Sequence, residues 1–190
     1  MKRVFVAGTA LILMSATSVA DVKDTEEFNF EVNSGARISV ENINGDIQVT
    51  GDAKGKVKVI AHKKAGKQEY MDKLKIVVDA SKDHIRIETD HPDSKGWFNW
   101  GGDSSGSVSY ELFVPSDVNL DAIETVNGDV TIESVNGEVK AGTVNGAVDV
   151  SGVMSDVSLE TVNGSIKAVF DELGSGQRVK ADTVNGKIAI

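Results

Sequence analysis

Apolar and polar side chains alternate along most of this chain, in short runs broken by Gly, Asn and Ser. A run such as Val130-Thr131-Ile132-Glu133 turns one face inward and the other to water, the period of a half-buried strand. On this reading Thr131, Glu133, Lys140, Asp149, Ser158, Glu160 and Lys167 face solvent. The runs also repeat. Thr-Val-Asn-Gly occurs at 125–128, 143–146, 161–164 and 183–186, in steps of 18, 18 and 22 residues. Weaker copies at 134–137 and 152–155 each follow a full copy by nine residues. Past each full turn the apolar columns stay in step. Val130, Val148, Ile166 and Ile188 form one column, and Ile132, Val150, Ala168 and Ile190 the next, if four residues near 174–177 are an insertion.

Asn-Gly between apolar runs is compatible with a meander of antiparallel hairpins. The alternation of full and weak turns favours another architecture. A meander needs no memory beyond its next strand, whereas a coil of two strands and two corners repeats only when it closes. The pattern predicts an all-β, single-domain β-solenoid with 18-residue, two-strand coils over 123–190 and some antiparallel strands in the middle of the chain. The corners are Asn127-Gly128, Asn136-Gly137, Asn145-Gly146, Asn163-Gly164 and Asn185-Gly186, with Asn44-Gly45 as an early echo in Ile43-Asn-Gly-Asp46. Both residue types tolerate positive φ, which is the expected reason for their presence. The aligned Asn side chains either bond one another and the corner backbone or form a repeated ligand position. Calcium is disfavoured, because the residues after the corners (Asp129, Glu138, Ala147, Asp156, Ser165, Lys187) do not repeat a carboxylate.

Residues 1–20 have a positive start (Lys2, Arg3), an apolar stretch at 4–14 and Ser18-Val19-Ala20 before Asp21. This reads as a secretory signal peptide, leaving 21–190 as the β-strand-repeat domain. No window is long and apolar enough for a membrane span, and the absence of Cys excludes disulfides and a lipid-attachment cysteine. Export to the periplasm, the cell surface or the medium is expected. The chain has 20 Lys+Arg and 29 Asp+Glu; without Lys2 and Arg3 the balance is 18 against 29, a net charge of −11. That opposes non-specific binding to nucleic acid.

Further strands are expected around Phe28, Phe30 and Val32, at Ile38-Val40, at Ile47-Val49 and at 57–60. The stretch 62–74 breaks the pattern, with a short helix within 68–74. Lysines at 54, 56, 58, 63, 64, 67, 73 and 75 gather here, either as solvated edge-strand charges or as a patch for anionic envelope polymers. An antiparallel pair follows, with 80–83 as its turn, and then an alternating strand at 108–114. Between them, 91–107 holds both tryptophans of the chain. Trp97, Phe98, Asn99 and Trp100 either cap the fold or bind a protein or a sugar face, and they are the candidate partner-binding residues. The C-terminal coil has no polar cap after it, so it is expected to pair with another chain or to be covered by 91–107.

Candidate chemistry is sparse. His62, His84 and His91 lack metal-ligand spacing, no phosphate-binding glycine pattern occurs, and the carboxylates mix with lysine on outward positions. No catalytic residue, metal or cofactor is assigned. Leu112-Phe-Val-Pro115 followed by the Asn-Gly series at nine-residue steps is similar to the bacterial putative-adhesin family of exported β-strand-repeat proteins, over about 28–190. The resemblance implies a right-handed β-helix or β-roll in the cell envelope, and it carries over no catalytic residues. The expected function is that of a non-catalytic envelope protein, an adhesin or a surface- or partner-binding solenoid. The alternative is a periplasmic accessory or stress-related protein that binds a protein or glycan. A polysaccharide-acting enzyme is more remote.

Overall fold

Each full Asn-Gly corner lies directly over another, and this stacking decides how the strands pair. The computed structural model describes residues 21–53, 55–91, 106–170 and 176–190. After β1 (Val22–Glu31), the first copy of the pattern is β2 (Arg37–Glu41) and β3 (Ile47–Ala53), on either side of Asn44-Gly45. The middle of the chain forms β4 (Lys56–Ala65), the short α1 (Gln68–Met71), β5 (Lys75–Ala80), β6 (His84–Asp90) and β7 (Gly106–Pro115). The repeat region then alternates between β8 (Asn119–Asn127) and β9 (Val130–Glu133), β10 (Val139–Asn145) and β11 (Val148–Ser151). It continues with β12 (Val157–Asn163) and β13 (Ile166–Val169), then β14 (Val179–Asn185) and β15 (Ile188–Ala189).

Among the described residues the strands form two mixed sheets in one all-β domain. One has eight strands in the order β1-β4-β7-β3-β9-β11-β13-β15, the other seven in the order β14-β12-β10-β8-β2-β6-β5. Consecutive repeat strands fall in opposite sheets, and each pairs in parallel with its equivalent in the next copy. Val148 lies between Val130 and Ile166, Ile166 pairs with Ile188, and Val150 lies between Ile132 and Ala168, as the columns predict. Chain order and spatial order part company earlier. β2 and β3 sit between β6–β7 and β8–β9, because β6 runs parallel to β2 and β7 parallel to β3. Antiparallel pairs close this end: β5 with β6, β4 with β7, and β1 with β4.

The inward positions fill the space between the sheets. Ile38, Val40, Ile47, Val49, Ile123, Val130 and Ile132 are all completely buried, each contributing roughly 1.5–3 kcal/mol relative to exposure.

Three local expectations need correction. Strand β4 runs on to Ala65, so His62–Ala65 are strand and not connection, with Lys63 and Ala65 on the buried face. The helix within 68–74 is present as α1. The weak corners are not faded copies of the strong ones. Val126 and Val144 are part-exposed and Val162 exposed, whereas Val135 and Val153 are completely buried. The left-handed backbone at Ser134 (φ 59°) and Gly152 (φ 61°) flips the side-chain alternation there, so these valines plug the core,. Asn136-Gly137 accordingly stacks on 116–118, where the Asn136 amide donates to the Ser116 carbonyl, away from the line of full corners.

The third correction concerns why the corners are Asn-Gly. None of the corner asparagines has positive φ; among the corner glycines Gly45 (φ 122°) does, while Gly128 (φ 159°) is close to extended. Space is the tighter constraint. A Cβ on Gly128 would lie 2.2 Å from the Gly45 carbonyl oxygen, one on Gly146 2.0 Å from that of Gly128, and one on Gly164 1.8 Å from that of Gly146. Only glycine allows the corners to approach this closely. The asparagines form a side-chain ladder in which Asn127 donates to Asn44, Asn145 to Asn127, Asn163 to Asn145 and Asn185 to Asn163, at 2.8–3.0 Å. The threonines of the motif face inward, and Thr125, Thr143, Thr161 and Thr183 donate to the carbonyls of Gly45, Gly128, Gly146 and Gly164 at 2.9–3.1 Å.

Replacing Gly146 by Ala forces backbone apart, whereas a Cβ at Gly142 meets its nearest atom, the Glu160 carbonyl oxygen, at 3.2 Å. Urea unfolding is therefore expected to show Gly146→Ala destabilised by at least about 2 kcal/mol and Gly142→Ala by under about 1 kcal/mol. Equal losses would remove the close approach as the reason for glycine.

Candidate functional site

The outer face of the seven-stranded sheet is built from the same repeat as the core. On β8, β10, β12 and β14 the side chains alternate, so residues at one repeat position line up across the strands as columns. Glu124, Gly142, Glu160 and Asp182 form one outward column, and Lys140, Ser158 and Lys180 the next. Val144, Val162 and Val184 follow toward the Asn corners, and Val162 and Val184 are 40% and 74% exposed. Together they border a shallow depression of about 740 Å³. Gly142 lines it and contributes no side chain between the Glu124 and Glu160 positions.

Charge on this face is organised by short contacts. Lys180 bridges Glu160 at 2.7 Å and Asp182 at 3.1 Å. Those two carboxylates, Glu160 foremost, hold the Lys180 ammonium above its ordinary value. Lys140 contacts Glu138 at 3.0 Å, and that bond does the same for its ammonium. Such exposed pairs add little stability, but they keep the lysines close to the sheet, so that paired charges lie beside an aliphatic ridge. This arrangement runs across the strands. It has no nucleophile–base pair, and among the described residues no three His, Cys, Asp or Glu side chains converge as a metal site would need.

At the opposite end of the sheets, the lysine-rich stretch meets acids of both faces of β1, of the residue before it and of α1. Lys58, Lys63, Lys64 and Lys73 contact Glu27, Glu26, Asp21 and Glu69 at 2.8–3.2 Å. Four of the gathered positive charges are thus neutralised in place, which weakens the reading as a patch for anionic polymers. Lys63 is buried, also lies 3.8 Å from Asp24, and stands on the inner face of β4. Nearby, the Tyr110 hydroxyl lies 2.7 Å from the Thr89 hydroxyl, and burial pushes the phenol well above its ordinary value. His91 is buried with its Nδ1 3.4 Å from the Tyr70 hydroxyl. These contacts tie β1, β4, β6 and β7 together.

The candidate partner-binding residues Trp97, Phe98, Asn99 and Trp100 lie outside the described residues. The corner residues Asn44, Asn127, Asn145, Asn163 and Asn185 come together in the ladder, and Asn136 does not. Sequence reasoning missed the outward columns as a surface and the inward threonines as carbonyl partners. Parity would have found both, since Thr125 is two residues beyond the inward Ile123 and Glu124 lies between them. Asp46 and Asp129 do more than follow a corner, since their carboxylates accept the backbone amides of Asp129 and Ala147 at 2.9 and 2.7 Å.

No protein-family model matches this chain, and neither does any curated protein. Solved structures do. A putative cell adhesion protein from Clostridium sporogenes superposes with a TM-score of 0.63 at 12% identity, covering 87% of this chain and 98% of that one. A putative adhesin from Bacteroides fragilis matches at 12% identity over 87% and 97% of the two chains, with a TM-score of 0.29. A putative lipid binding protein from Parabacteroides distasonis matches at 13% identity over 77% and 66%, with a TM-score of 0.39. At this identity the first likeness concerns the fold, and the other two superpositions are too loose to carry an argument. No helix among the described residues is long and apolar enough to cross a membrane.

The last strand of the face is held by Asp156, which accepts the Arg178 amide at 3.0 Å and its guanidinium at 2.9 and 3.1 Å. The amide first, then the guanidinium, keep the Asp156 carboxyl below its ordinary 3.8. A depressed carboxyl stabilises the fold above that ordinary value and loses its contribution as pH falls through the lower, folded one. Thermal unfolding of Asp156→Ala is expected to begin below the wild type at neutral pH, with the gap closing as pH drops below 3.8. A gap independent of pH would mean the carboxylate is not what holds Arg178.

Proposed function

We propose that this is a non-catalytic, exported cell-envelope protein of adhesin type, a right-handed β-solenoid that presents a repeated outer face to a protein or glycan. The observation that carries the reading is the parallel register of the repeat at its full corners. Thr143 pairs with Thr125 and Thr161, and Asn145 with Asn127 and Asn163. That register lines up each repeat position as a column across the strands, suited to binding an elongated partner rather than enclosing a small molecule,. The fold likeness to a putative cell adhesion protein supports the same reading. Export is supported by the charged start and apolar stretch of residues 1–20.

Labelling of the native protein on intact and lysed cells tests the adhesin reading. Reaction on intact cells is the expected outcome. Protection until the envelope is opened would overturn it and leave the periplasmic, partner-binding alternative. With a surface partner in hand, Val144→Lys with Val162→Lys should weaken binding about tenfold or more at an unchanged unfolding midpoint. Trp97→Ala with Trp100→Ala tests the tryptophan-bearing segment in the same assay. Loss of binding only in the tryptophan variant would move the site from the sheet to that segment.

Self-association through the last coil is part of the proposal. Ile188 continues the core column yet is 44% exposed, against 1% for Ile166 beneath it, and Ile190 is 68% exposed. The occupant that fits this edge is a second copy. Laid antiparallel about Ala181, β14 sets each Lys180 opposite the other copy's Asp182, an isologous pairing with complementary charge. Size measurement across concentrations should show a dimer, with Lys180→Asp or Asp182→Lys shifting it to monomer and the double exchange restoring it. A monomer in the parent protein, or no rescue by the double exchange, would rule this register out.

A further inference from the structure

The chain contains six Asn-Gly pairs, the sequence most prone to succinimide chemistry, and the structure treats them unequally. In that reaction the glycine nitrogen attacks the asparagine Cγ. A carbon–nitrogen bond forms, the side-chain amide nitrogen leaves as ammonia carrying the proton lost by the glycine amide, and a five-membered imide results. Water then opens either carbonyl of the ring to give aspartate or isoaspartate. The step needs a glycine N–H free to lose its proton and a side chain free to turn back onto it.

Four pairs are denied both. The Gly45 amide donates to the Asn127 carbonyl at 2.8 Å, and those of Gly128, Gly146 and Gly164 donate to the carbonyls of Asn145, Asn163 and Asn185 at 3.1 Å. Asn127, Asn145 and Asn163 each donate and accept within the ladder, while Asn44 accepts from Asn127 and lies 3.4 Å from the Gly106 carbonyl. Attack at any of them requires the backbone bond and the ladder to open together. Exposure does not explain the protection, since Asn127, Asn145 and Asn163 are all solvent-exposed.

The other two differ. Among the described residues the amides of Gly137 and Gly186 have no acceptor. The Asn185 side chain keeps only its own donation to Asn163, and the Asn136 side chain has no bond among the described residues; both asparagines are exposed. We propose that Asn136 and Asn185 are the sites of spontaneous, self-catalysed deamidation in the folded protein, and that corner stacking shields the remaining four. At Asn185 the product adds a negative charge and removes the donor to the Asn163 side-chain oxygen, so the open edge of the stack changes first.

The test is native incubation of the full chain in dilute, mildly alkaline buffer, followed by proteolysis and mass spectrometry of each Asn-Gly peptide. An isoaspartate-specific methyl transfer assay provides a second readout. Asn136 and Asn185 should convert at least about tenfold faster than Asn127, Asn145 and Asn163, since one extra backbone bond plus a side-chain bond must break at the latter. In urea all six should convert at similar rates, which separates structural shielding from sequence preference. Conversion of Asn145 or Asn163 at the rate of Asn185 in the folded protein would overturn the proposal. So would full protection of Asn136 and Asn185 while the unfolded chain reacts at all six.

Discussion

At each full corner a glycine carbonyl occupies the volume where the next glycine would carry its Cβ, and this close approach is the constraint on which the rest of the structure depends. With 1.8–2.2 Å between that oxygen and a would-be Cβ, the corners stack at strand spacing with no room for adjustment. Once stacked, the asparagine amides meet one another and the threonine hydroxyls meet the carbonyls of the corner below. Each of these bonds contributes only about 1 kcal/mol, but none can form if the corners are displaced. The parallel pairing of β8, β10, β12 and β14 follows from the corners and is not an independent choice.

A second constraint acts at the opposite corners. There the left-handed backbone at Ser134 and Gly152 shifts the side-chain alternation, so Val135 and Val153 close the flank of the core while Val126 and Val144 look outward. The same dipeptide start, Val-Asn, thus serves core packing at one corner and surface presentation at the other. The outer face inherits its columns from this difference. A repeat that buries one residue per position on the inside must display one per position on the outside, so a long, shallow outer face is a natural product of this fold and a deep cleft is not.

Much of this was legible beforehand. The columns Val130–Val148–Ile166–Ile188 and Ile132–Val150–Ala168 could be read because like side chains recur at one repeat position, and parallel strands put like on like. The Asn ladder was legible for the same reason. The inward role of Thr125, Thr143 and Thr161 was obscured because threonine is commonly a surface residue. The extension of β4 through Lys63 was obscured because a lysine on an inward position looks like the end of a strand. Only the carboxylates of Glu26 and Asp24, far away in sequence, make that burial tolerable.

The sequence by itself determined the strand content, the two-corner repeat and the identity of the columns, since each is a periodic, local property written again in every copy. Tertiary structure alone decided that β2 and β3 insert between β6–β7 and β8–β9, that β1 caps β4 with its acids, and why the corner residue is glycine. Those features depend on contacts between segments with no shared period, where hydrogen-bonding edges, opposite charges and available space select the partner only once the chain has collapsed.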